Sequence, residues 1–143
     1  MIYLSDVNVC LALAVIGHVH HKIAVAWLDR CGPCEIALCR VVQAGLLRLL
    51  TNEHVMRTNV LTTADAWDKY DAMFADSRIK FVHEPEGLER SWRTVTRRFT
   101  KGHNFWTDAY LTAFADAAGF SIVTFDRDLA GHAGRRAHLL AVS

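Results

Sequence analysis

The chain has 143 residues, 52% of them hydrophobic and 22% charged, with a formal net charge of +1. That length suits one domain with a substantial core and leaves no room for two, so residues 1–143 are read as one unit. The charge balance excludes a general polyanion-coating protein, and any nucleic-acid contact has to come from a local patch. The apolar run from Val9 to Ile16 is far shorter than the roughly 18 residues of a membrane span, and Met1 leads directly into strand-like residues. The expectation is a cytoplasmic protein with no membrane segment and with its four cysteines reduced.

In chain order, "MIYLS" has the pattern of a buried strand ending at Asp6, and "VNVCLALAV" runs on as an apolar helix. A second helix spans His20 to Arg30, with Ala24, Trp27 and Leu28 at core spacing, and stops at Gly32-Pro33. The strand "EIALCR" follows, then the helix "VVQAGLLRLLTN" with Leu46, Leu49 and Leu50 inward. The next helix, Thr63 to Ser77, carries Trp67, Tyr70 and Phe74 on one face. After the strand "IKFVH" come a helix from Glu86 to Lys101, another from Trp106 to Ala118 stopped by Gly119, the strand "SIVTF" and a final short strand "HLLAV". Strands alternating with helices imply a mainly parallel sheet covered on both sides, a three-layer α/β/α sandwich.

The tetrapeptide "CGPC" (31–34) invites a thiol-redox reading, but it follows a helix and precedes a strand. Neither thiol gains the helix N-terminus that activates such a pair. A turn with small packing residues is favoured. Zinc is disfavoured as well, because Cys39 and the histidines of "HVHH" supply no second close pair of ligands.

The acids are more informative. In a parallel sheet, ligands gather at the carboxyl ends of the strands, where the crossover helices begin. Asp6 follows the first strand and Asp126 follows "SIVTF", while Asp108 and Gln43 lie in the first turns of helices. Each has an ordinary alternative as a cap, a partner of the helix dipole or a turn residue. Their convergence on one edge is different, because carboxylates at close range repel unless a cation neutralises them. Hard oxygen donors point to Mg²⁺ or Mn²⁺ and to phosphodiester chemistry.

"YLSDVNVCLAL", "CRVVQAGLLRLLTN", "TDAYLTAFADAAG" and "IVTFDRDL", in this order and spacing, resemble the motifs of PIN-domain ribonucleases, specifically the VapC-type toxins of toxin-antitoxin pairs. "HHKIAVAWL" resembles the second helix of one branch of them. The resemblance implies a PIN-like parallel sandwich in which Asp6, Asp108 and Asp126 are ligands of a metal that serves RNA cleavage, leaving 5′-phosphate and 3′-hydroxyl ends. The family's usual glutamate falls on Gln43, which brings an oxygen but no charge. Asp128 is the reserve acid. The resemblance also implies a cognate antitoxin protein that blocks the acids, commonly with an arginine, and a homodimer.

The mechanism expected is metal-assisted hydrolysis of RNA. Asn8 and Thr124 are candidates to orient Asp6 and Asp126, and each can equally be a helix cap or a buried strand threonine. Arg90, Arg93, Arg97 and Lys101 form one helical stripe, either a solvated face or a set of RNA phosphate contacts, opposite an apolar stripe of Leu88, Trp92, Val95 and Phe99. A receiver domain is excluded by the missing acidic pair and late lysine, and a dehalogenase-type phosphatase by Asp6-Val7-Asn8 in place of Asp-x-Asp. The remaining rival is a PIN-like RNA- or protein-binding module disarmed by Gln43.

Overall fold

The computed structural model describes residues 1–98, 102–103 and 105–142. Five strands, β1 (Ile2–Ser5), β2 (Glu35–Leu38), β3 (Ile79–Phe81), β4 (Ser121–Thr124) and β5 (Ala137–Leu139), form one sheet in the order β3-β2-β1-β4-β5. Every pairing is parallel; Tyr3, for example, is in register with Ile36 on one side and Ser121 on the other. Such a sheet must be covered on both faces, and Leu4, Ile36, Leu38, Ile122 and Val123 are accordingly inaccessible to solvent.

The helices are α1 (Val7–Ala14), α2 (His21–Arg30), α3 (Arg40–Leu50), α4 (Glu53–Met56), α5 (Thr63–Met73), α6 (Leu88–Thr96), α7 (Trp106–Ala118) and α8 (Arg127–Ala133). From β1 the chain crosses over toward β2 and β3, whereas from β4 it moves the other way to β5. Right-handed crossovers therefore put α1–α5 on one face and α6–α8 on the other, in agreement with the packing of α1 on α2 and α3 and of α7 on α6 and α8. The strand order reverses between β1 and β4. In an open parallel sheet, the carboxyl end of that pair is where a crevice forms.

Several sequence expectations are corrected. The stretch between the last two expected strands, "SIVTF" and "HLLAV", contains α8 and a 3₁₀ turn (Gly134–Arg136). This short segment carries a weak helical pattern, and its helix rests on the Asp126 cap and the buried Leu129. α4 was not expected; Asn52 caps it by accepting from the His54 amide at 2.8 Å. α5 presents Ala66, Tyr70 and Met73 inward and leaves Trp67 48% exposed, a face rotated by one residue from the aromatic stripe. α6 is shorter than Glu86 to Lys101: Gly87, at φ +85°, turns the chain into it and Arg97 caps it. The expected inward Phe99 lies outside the described residues. Cys31 and Cys34 are bonded as a disulfide rather than reduced, their Cα atoms brought to 6.0 Å by the Gly32-Pro33 turn. Cys10 and Cys39 are free and buried. No described helix is long and apolar enough to cross a membrane.

Candidate active site

β1 delivers Asp6 to the reversal point. Its amide continues the ladder by donating to the Val123 carbonyl at 3.0 Å, and its side chain caps α1, Oδ1 accepting from the Val7 amide at 2.7 Å. Oδ2 accepts from the Thr124 hydroxyl at 2.8 Å. Both oxygens are thereby oriented on a buried carboxylate. Thr124, wholly buried at the end of β4, also accepts from the Asp126 amide at 2.9 Å, so one hydroxyl ties together the two strand ends that bear the acids.

Asp126 caps α8, its Oδ1 accepting from the Asp128 amide at 2.8 Å. Asp108 projects from the first turn of α7 and is half-buried. Burial, first, raises the Asp6 carboxyl above its ordinary value; the Thr124 and Val7 hydrogen bonds oppose this, and the Asp126 charge adds to it. Burial also raises Asp108, followed by repulsion from Asp126, Asp6 and, more weakly, Asp128, with His132 of α8 acting in the opposite sense. The three expected acids therefore share one electrostatic neighbourhood. No described lysine or arginine forms an ion pair with any of them. Among the described residues, no three His, Cys, Asp or Glu side chains stand close enough to enclose an ion as they lie.

Gln43 is buried in the first turn of α3 but faces other partners. Its Oε1 accepts from Arg40 Nη1 at 2.6 Å, and the Arg40 guanidinium lies over the Phe81 ring, 4.7 Å from its centroid. Burial pushes the Tyr70 phenol up, and neighbouring Gln43 and Arg40 oppose that shift. Asn8 is exposed, beside Asp126 in a groove shared with His18, His20 and Phe125. Arg90, Arg93 and Arg97 are all exposed on α6, and Lys101 lies outside the described residues.

A cleft of about 250 Å³ opens at Asp6 between α1, α3 and α7, with Val41, Gly45, Arg48, Thr107 and Leu111 among its walls. Arg48 and His132 were not singled out in the sequence. The 41/45/48 spacing on α3 could have pointed to Arg48, whereas His132 depends on a helix that the sequence pattern did not reveal.

The PIN domain matches residues 3–134 of the chain. Ribonuclease VapC41 of Mycobacterium tuberculosis is 44% identical, over 96% of this chain and 98% of that protein. The chain belongs to the PIN-domain family, among the VapC ribonucleases. Ribonuclease VapC29 of the same organism is 34% identical over 91% of this chain and 90% of its own length. VapC folds in solved structures agree with the sheet described above: the Mycobacterium tuberculosis VapC20 toxin, which cleaves the sarcin-ricin loop, superposes with a TM-score of 0.66 at 20% identity, covering 92% of this chain and 94% of that one. PIN-domain VapC ribonucleases are in general dependent on a divalent metal.

Proposed function

We propose that Asp6, Asp108 and Asp126 share one Mg²⁺ or Mn²⁺ ion and that the chain hydrolyses RNA phosphodiester bonds there, as the toxin of a toxin-antitoxin pair. The observation that carries this reading is the gathering of Asp6, Asp108 and Asp126 at the β1/β4 reversal, where burial raises the Asp6 and Asp108 carboxyls and the Asp126 charge adds to both, with no described lysine or arginine paired to them. A fold keeps such an arrangement only at a cost in stability, and a divalent cation is the ligand that removes the cost. The donor set fits a hard ion that retains several waters, which does not require three side chains in van der Waals contact.

Asp6, Asp108 and Asp126 would hold the ion, which would supply activation of a water and stabilisation of charge at the phosphate. Thr124 and the α1 amide hold Asp6 in a fixed orientation, and the Thr124 link to the Asp126 amide keeps the second acid in step with the first. Asp108 enters from the opposite helical layer, so closure of the site depends on how α7 packs. Gln43 supports α3 through Arg40 in the position where the family's glutamate stands. Without metal the three acids have no described ion-pair partner, and a guanidinium from an antitoxin tail would bind a carboxylate among them in bidentate fashion. The chain is expected to pair with itself as well.

Purified protein incubated with total RNA in Mg²⁺ or Mn²⁺ should give discrete fragments with 5′-phosphate ends, and EDTA should abolish them. Undiminished cleavage in EDTA would contradict the metal reading. Absence of cleavage with retained RNA binding would favour the disarmed module.

A further inference from the structure

Among the described residues, Arg48 of α3 is the one lysine or arginine that lines the same cleft as Asp6, and Val7, Val42 and Leu111 make much of the remaining wall apolar. Arg48 is exposed and forms no ion pair among the described residues. The groups that could engage it are committed elsewhere. Both oxygens of Asp6 accept hydrogen bonds, one from the Val7 amide and one from the Thr124 hydroxyl. Arg40, at the start of the same helix, differs from Arg48: it donates to Gln43 and lies over the Phe81 ring.

The placement of Arg48 is set by the period of α3. Val41, Gly45 and Arg48 share one face of the helix and all line the cleft. Val41 stands at the head of α3, and Arg48 lies two turns further on, roughly 10 Å along the axis. Gly45 falls between them and puts no side chain in the way. Arg48 also borders a second hollow of about 170 Å³ against α5, with Thr51 and Trp67 on its walls, so it stands where the two depressions adjoin. A nucleic-acid strand brought to three carboxylates is repelled at every phosphate. A metal ion held by the acids offsets this at the phosphate it touches, and a guanidinium further along the cleft offsets it at a neighbour.

Resting on the nuclease reading above, we infer that Arg48 is a positioning residue that holds a phosphate adjacent to the scissile one. It fixes the RNA backbone along α3 while the acids face the bond that breaks, and it takes no part in the chemistry itself.

The test is binding of a labelled RNA of roughly a dozen nucleotides to the full chain in EDTA, read by anisotropy over a series of salt concentrations. Arg48→Ala should weaken binding roughly fivefold at low salt and flatten the slope of log affinity against log salt by about 0.7, the increment for one phosphate on a single strand. Arg48→Lys keeps the charge and should restore the slope. The loss should be the same for RNAs of different base sequence, because a phosphate contact reads no base. In Mn²⁺, Arg48→Ala should raise KM and leave kcat near wild type. An unchanged slope in an Arg48→Ala protein of normal melting temperature overturns the inference, as does wild type that binds no RNA at low salt. A slope that Arg48→Lys fails to restore, or a loss confined to one base sequence, would assign Arg48 to a base edge instead and overturn it too. Loss of self-association with RNA binding intact would make this face of α3 an interface between copies, again against the inference. A fall in kcat at constant KM would put Arg48 on the transition state and contradict a positioning role. Because the slope is read without metal, failure of the wild type to cleave RNA in Mn²⁺ would refute the nuclease reading and leave the phosphate contact decided by the slope.

Discussion

Thr124 makes the clearest case for what a single side chain does here. Its hydroxyl is buried, donates to Asp6 and accepts from the Asp126 amide, so Thr124→Val keeps the shape and removes both bonds. Hydrogen bonds to a charged group contribute about 1.5–3 kcal/mol, and the variant should lose stability in that range by urea denaturation, with Thr124→Ser close to wild type. The raised carboxyls of Asp6 and Asp108 give a sign for pH. Their folded-state values lie above the ordinary 3.8, so the favourable contribution is complete below that value and is lost as pH rises through the raised ones. Asp108→Asn fixes the neutral form. In EDTA it should match wild type in acid and exceed it near neutral pH. Gln43→Glu should strengthen the contact with Arg40 and leave a Mn²⁺ titration unchanged; tighter Mn²⁺ binding would place that side chain on the metal instead. The edge positions of Asp6 and Asp126 were legible because a residue that follows a strand can only lie at its end. The direction of Gln43 was not, because it is set by Arg40 and Tyr70, and the latter arrives from a different helix.

At the scale of elements, the approach of α1 to α3 positions Asp6, and Gly45 permits it. A Cβ on residue 45 would stand 3.0 Å from Val7 Cγ2, at the residue that receives the Asp6 cap. Gly45→Ala gains about 1 kcal/mol in helix propensity and incurs about 1–3 kcal/mol of overpacking, so a modest net destabilisation is expected. Adding Val7→Ala should restore the lost stability; no recovery in the double variant would show that the two helices do not meet there. Elements with a clear apolar pattern were legible from sequence: the buried run of β1 and the helical periods of α2, α3 and α7 stand close to where the pattern placed them. α4 and α8 were not, since four and seven residues are too few to show a period and both depend on a cap. The turn of α5 by one residue has a similar origin. Its aromatics suggested one stripe, but tertiary packing buried the smaller Ala66 and Met73 beside Tyr70 and left Trp67 outside.

For the whole molecule, the reversal of strand order between β1 and β4 is the organising fact. It brings Asp6 and Asp126 side by side from chain positions far apart, with Thr124 between them. The alternation of strands and helices made a doubly covered parallel sheet legible, while the full strand order required the structure. Expression of the chain alone should arrest growth, and Asp6→Ala or Asp108→Ala should relieve the arrest; persistence of the arrest in a folded double variant would argue against an acid-dependent toxin. The most direct measurement is the melting temperature of the EDTA-treated protein titrated with Mn²⁺, for wild type and Asp108→Asn side by side. If the acids share one ion, wild type should rise by about 5–10 °C near a hundredfold excess over its dissociation constant, and the variant should stay flat. Equal rises in the two proteins would contradict a shared metal site at Asp6, Asp108 and Asp126.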